Sequence, residues 1–117
     1  MTELVRHLRD ADGDFLLIGD STVLYGLTRK LSPSRALWLD PGLTMPRRES
    51  PEFAAFEDDL IARAREFGVR RIVLEGPHTW TGVSLSSFPN LRKLAAASTC
   101  GERVFGEVRV IEMCSAL

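Results

Sequence analysis

No apolar run in this sequence is longer than five residues, whereas a membrane-crossing helix needs about 20. An excess of one charge is also missing. Fifteen Lys and Arg side chains face sixteen Asp and Glu, for a formal net charge of -1, so there is no basic stripe to follow a phosphate backbone, which argues against nucleic acid as a partner. Cysteine is scarce. Cys100 and Cys114 form no Cys-x-x-Cys, and no Cys/His spacing suits a metal. Free buried thiols are the simpler reading of such a pair, and a single bridge is the alternative. Histidine is limited to His7 and His78, and Asn90 is the only asparagine, which leaves few partners for a nucleophile. No motif asks for a cofactor. The opening residues to Asp10 include Glu3, Arg6 and Arg9 and are too charged for a signal peptide.

What is present is enough for a core. The 117 residues are 44% hydrophobic and 26% charged, which fits one α/β domain over residues 1–117 and leaves no room for two. Leu4, Val5, Leu8 and Ala11 recur at helical spacing, and Asp12-Gly13-Asp14 ends that helix. Phe15 to Ile18 is an apolar run that breaks at Gly19. Asp20, Ser21 and Thr22 then read as capping residues of a short helix reaching Leu27. Ala36 to Asp40 reads as a second buried strand, closed by Pro41-Gly42.

Ser50-Pro51-Glu52 has the form of a helix start, with Ser50 as N-cap. Phe53, Phe56, Leu60, Ala64 and Phe67 line one face of that helix, and Gly68 stops it. Arg70 to Glu75 reads as a third strand. A helix from about Ser86–Pro89 runs through Leu91 and Leu94 until Gly101, and Val104 to Glu112 reads as an edge strand with Gly106 as a bulge or tight bend. The alternation of strand and helix predicts a three-layer α/β/α sandwich, with a mostly parallel sheet of about four strands and an edge strand at the C-terminus.

In open α/β sheets, ligands collect at the carboxyl ends of the strands. That rim gathers Asp20, Ser21, Tyr25, Asp40, His78 and Trp80 as candidate ligand contacts. Aromatic rings there suit a sugar face or a lipid headgroup region, and the strand-end pair Asp20 and Asp40 suits a metal or a sugar hydroxyl or simply caps turns. Arg47-Arg48, on a proline-rich loop, is a candidate anion contact. Gly19-Asp20-Ser21 also resembles the nucleophile turn of an SGNH-like serine esterase. That chemistry needs a histidine to take the serine proton and a carboxylate to orient it. His78 and Glu75 are the available pair, but the remaining sequence blocks of that family are absent. A plain structural role for Ser21, and a stand-alone ligand-binding or self-associating module, stay open beside it.

The order of segments carries a second resemblance. Phe15 to Leu27, Ser32-Pro33-Ser34 with Ala36-Leu37-Trp38, and Asp40-Pro41-Gly42-Leu43-Thr44 are followed by Val73-Leu74-Glu75-Gly76 with Trp80 and Gly82. Phe88-Pro89, then Phe105-Gly106 with Val108 to Glu112, complete it. Together, over most of residues 14 to 112, they resemble the C-terminal soluble domain of bacterial multi-pass (GT-C type) glycosyltransferases. These are similar to the dolichyl-phosphate mannosyltransferase and lipid-A aminoarabinose transferase group. The resemblance implies a transferase using polyprenyl-phosphate-linked sugars, with its catalytic acid in membrane-side loops that this sequence does not contain. No catalytic residue carries over. The implied partners are the membrane portion of a parent enzyme and a sugar or polyprenyl-phosphate ligand. The implied location is the extracytoplasmic side of a membrane, or the cytoplasm if the chain is complete.

Overall fold

The apolar runs at Phe15–Ile18 and Ile72–Leu74 lack alternation because both faces of their strands are covered. In the computed structural model, which describes residues 2–34, 45–76 and 83–117, four strands form one sheet: β1 (Asp14–Ile18), β2 (Val69–Leu74), β3 (Thr99–Phe105) and β4 (Val108–Met113). Four helices join them: α1 (Thr2–Asp10), α2 (Val23–Thr28), α3 (Phe53–Glu66) and α4 (Pro89–Ser98), with a 3-10 turn at Leu85–Ser87. Leu16, Ile18, Ile72 and Leu74 pack with Phe53, Leu60 and Ala64 of α3 and with Leu91 and Ala95 of α4. Phe15, Leu17, Val73 and Val110 pack with Leu4 and Leu8 of α1 and with Leu24 of α2. The chain is therefore a mixed α/β protein in which two apolar clusters pack the helices on a four-stranded sheet.

The strand order β1-β2-β4-β3 corrects two expectations. Among the described residues, β1 and β2 pair in parallel, with Ile18 opposite Leu74. The other two pairings, β2 with β4 and β3 with β4, are antiparallel, so this sheet is mixed and only partly parallel. The strand expected at the C-terminal edge is two strands. Gly106, at φ +65, turns the chain after Phe105 as a two-residue hairpin rather than a bulge. That turn places β4 inside the sheet and leaves β3 at its edge. The sequence hides β3 because Thr99-Cys100-Gly101-Glu102-Arg103 has no apolar alternation, and in the fold the strand is largely exposed. The strand expected at Ala36–Asp40 lies outside the described residues.

Cys100 and Cys114 form a disulfide, with Cα atoms 5.0 Å apart. Both residues are exposed, which corrects the reading of them as free buried thiols. The bridge ties the start of β3 to the residue after β4, where the ladder shifts register between Thr99 and Gly101.

The helix ends are held from a distance rather than locally. Ser50 does not cap α3; Glu52 occupies that position and no side chain caps it. Thr22 occupies the corresponding position of α2, again without a side-chain cap. The first turn of α4 has no cap of its own either. Its acceptor comes from α3, where Glu57, 1% exposed, takes the Asn90 N–H at 2.9 Å and the Leu91 N–H at 3.3 Å on a single carboxylate oxygen. A buried carboxylate against two free amides at a helix N-terminus satisfies both the donors and the helix dipole. Lys30 does the converse at the C-terminus of α1, where its ammonium donates to the carbonyls of Leu8, Ala11 and Gly13 at 2.6, 3.0 and 2.7 Å.

Two outcomes follow for stability. Glu57→Ala leaves the α4 amides buried and unpaired, and urea unfolding should show a loss of about 2–3 kcal/mol with an unchanged m-value, against about 1 kcal/mol for Glu57→Gln, which keeps an acceptor. Opening the disulfide with dithiothreitol frees a loop of sequence separation 14; the same measurement should show a loss of about 2–3 kcal/mol.

Candidate functional site

The parallel pair sets the rim. Because Ile18 lies opposite Leu74, the tips of β1 and β2 finish level, and the Glu75 N–H continues the pairing to the Ile18 carbonyl at 3.4 Å. Gly19 follows β1 and Glu75 follows β2. A Cβ on Gly19 would stand 2.6 Å from Cγ, Cδ and Oε1 of Glu75, so only glycine lets that carboxylate approach the loop. Its Oε1 accepts the Ser21 backbone N–H at 2.6 Å, a charge-assisted bond. The turn is completed by the Thr22 N–H to the Asp20 carbonyl at 2.9 Å and the Leu24 N–H to the Ser21 carbonyl at 3.0 Å.

This geometry sorts the expected site residues. Ser21 and Glu75 do meet, as the esterase reading requires, but they meet through the main chain of Ser21. Asp20 is half-buried beside them. Tyr25 is turned inward. Its ring stacks on Phe15 at 4.6 Å between centroids, and its hydroxyl accepts the Leu17 N–H at 2.8 Å. It closes the side of β1 that faces away from β2. Burial, the largest influence, pushes the Tyr25 phenol above its ordinary 10.0, against the Leu17 and Ser32 hydrogen bonds, which pull it down. Asp40, His78 and Trp80 lie outside the described residues, as does Trp38.

A cluster that the sequence did not disclose lies where α1 crosses the sheet. Glu112 on β4 sits opposite Arg71 on β2 in the antiparallel register. Its Oε2 is 2.7 Å from Arg71 Nε and its Oε1 is 2.5 Å from His7 Nε2. The Arg71 Nε–H is not aimed along that ion pair; the same guanidinium also donates to the Asp12 carbonyl at 2.5 Å. Both carboxylate oxygens are thus engaged, and the cluster clamps α1 to the sheet. A cleft of about 600 Å³ opens over it, edged by Arg6, Arg103, Glu3 and Phe105. The missing signal was strand direction. An opposite-charge pair across two strands is visible only once β2 and β4 are known to run antiparallel.

Arg47 and Arg48 line a separate cleft of about 430 Å³ with Met45, Glu49, Phe53, Ser84, Ser86 and Ser87, the Glu49 carboxylate offsetting one of the two guanidinium charges. Guanidinium and hydroxyl groups around an apolar floor suit an anionic group carried on an apolar or sugar body. Among the described residues, no group of three or more His, Cys, Asp or Glu side chains is arranged to hold a metal ion, and no helix is long and apolar enough to cross a membrane.

The fold and rim define a mixed α/β protein whose β1–α2 turn is braced by a carboxylate from the neighbouring strand. Comparison with protein families, with curated proteins and with solved structures finds no match.

Tyr25 is the only tyrosine in the chain, so its titration can be followed alone by absorbance near 295 nm. The folded protein should titrate above 10.0, and urea should return the midpoint to about 10. A pKa raised in the folded state means that this contribution to stability is complete below the unfolded value. It is lost as pH rises through the folded one.

Proposed function

We propose that the chain is a non-catalytic, extracytoplasmic α/β domain of a membrane glycosyltransferase that uses polyprenyl-phosphate-linked sugars, with a supporting or acceptor-contact role. The finer architecture proposed with it is a three-layer α/β/α sandwich over the whole chain. The reading rests on the resemblance carried by residues 14 to 112, and one observation favours it over a serine esterase. The carboxylate that would orient a catalytic histidine, Glu75, is bound to the Ser21 amide and packed against Gly19. An acid held in that way braces a turn and is not free to support a base. The contact surface in this proposal is the rim, with Asp20, Ser21, Tyr25, Asp40, His78 and Trp80. Tyr25 contributes there by fixing β1. The Arg47–Arg48 cleft offers a charge partner for the phosphate of a sugar donor.

Amide chemical-shift mapping with mannose and with farnesyl phosphate tests the reading. Shifts should gather at Gly19, Asp20, Ser21 and Glu75, and farnesyl phosphate should add Arg47 and Arg48. A p-nitrophenyl ester should not be turned over. Turnover that disappears in Ser21→Ala, or shifts confined to β3, would overturn the proposal.

A further inference from the structure

We infer that the outer face of α2, together with the adjoining side of α1, docks onto an anionic phospholipid bilayer. The inference stands on this surface alone and does not rest on the glycosyltransferase reading. Among the described residues the exposed large hydrophobics are Val23 (59%), Leu27 (48%), Leu31 (75%) and Val104 (65%), and the first three fall within one short segment. Val23 and Leu27 stand one helical turn apart and share a face of α2, while Leu24 and Thr28 of the same helix are buried. Leu27 also closes an open groove of about 290 Å³ whose other walls are Thr2, Val5, Arg6 and Arg9 of α1. The apolar strip thus has a basic border, and Arg6 and Arg9 are both exposed.

Arg29 adds a third cation. It ends α2 in the left-handed conformation at φ 58 and is exposed. Glycine meets that conformation without strain, so an arginine there carries a conformational cost for its charge. Lys30 is not part of the border, because its ammonium is committed to three carbonyls of the α1 terminus. The acidic groups nearby are Glu3, one turn before Arg6; Asp12 and Asp14, which act with Asp10 on the Lys30 ammonium; and Asp10 itself, whose Oδ1 is 3.3 Å from Arg9 Nε with both side chains more than half exposed. An ion pair of that kind is weak in water and yields readily to a phosphate.

Aliphatic side chains bordered by arginines suit the boundary between headgroups and acyl chains. There the aliphatic groups leave water while the guanidiniums stay with the phosphates. The same pattern disfavours a second copy of the chain. A two-fold contact through this face would have to bury its arginines on both copies, which is costly unless each meets an acidic partner. It also lacks the aromatic anchors that carry most of the energy at protein interfaces.

Co-sedimentation tests the inference, using vesicles of equimolar phosphatidylcholine and phosphatidylglycerol beside vesicles of phosphatidylcholine alone. The protein should partition onto the anionic vesicles, at least about tenfold more weakly onto the neutral ones, and progressively less as salt is raised. Arg6→Gln and Arg9→Gln should each lower the partition coefficient about fivefold, and Leu27→Ser with Leu31→Ser should remove binding. Leu31→Ser alone should weaken it while leaving the thermal midpoint unchanged, which guards against misfolding as the cause. Val104→Ser, on β3, should bind as the parent does. Three results would overturn the inference: no binding to anionic vesicles, equal binding to both vesicle types, or binding indifferent to the Leu27 and Leu31 changes. Dimerisation seen by light scattering and lost in Leu27→Ser would also overturn it. None of these results bears on the rim, whose own test reads Gly19 to Ser21.

Discussion

The structure depends on β2 being buried on both faces while it pairs with neighbours of opposite direction. Val69, Ile72 and Val73 have no exposed surface, and they pack within the two apolar clusters that join the sheet to its helices. The parallel bond to β1 levels the strand tips and creates the rim. The antiparallel bond to β4 brings Arg71 opposite Glu112 and so fixes the place where α1 is clamped. Both candidate surfaces, the rim and the α1–α2 face, take their positions from this one strand.

Polar groups without local partners are satisfied from remote elements. Glu57 serves the amides of α4, Lys30 serves the carbonyls of α1, Glu75 serves the turn after β1, and the Tyr25 hydroxyl serves the backbone of β1. A short chain has little apolar surface with which to offset an unpaired buried group. One side chain that closes several backbone groups at once is an economical solution. These bonds also join neighbouring elements: α3 to α4, the residues after α2 to the end of α1, and β2 to the β1–α2 turn. Neighbouring elements are therefore held together by a few named polar side chains as well as by the two apolar clusters.

Such bonds fix the turn at the described part of the rim. Gly19 gives up a side chain so that Glu75 can come within contact distance, and the Glu75 carboxylate is held by an amide instead of facing solvent. The α2 face has the opposite character. Its helix carries no side-chain cap, its outer side chains are apolar and exposed, and it ends on an arginine in a conformation suited to glycine.

The sequence by itself determined the elements whose signal is local. Helical spacing marked α1 and α3, unbroken apolar runs marked β1 and β2, and Gly13 and Gly68, at φ +81 and +66, ended helices where the pattern stopped. It also placed Glu75 near Ser21, since each follows a recognisable strand. Strand direction was decided by tertiary structure, because a hairpin at Gly106 and a bulge at Gly106 read alike until β4 is seen between β2 and β3. The tertiary structure alone decided the Cys100–Cys114 bridge, the edge strand built from polar residues, the remote caps and the His7–Glu112–Arg71 clamp. The clamp and the remote caps of α4 and of the β1–α2 turn join residues far apart in the chain, while the bridge and the edge strand depend on a hairpin that the apolar pattern does not mark; propensity and periodicity carry no information about which partner a buried polar group will meet.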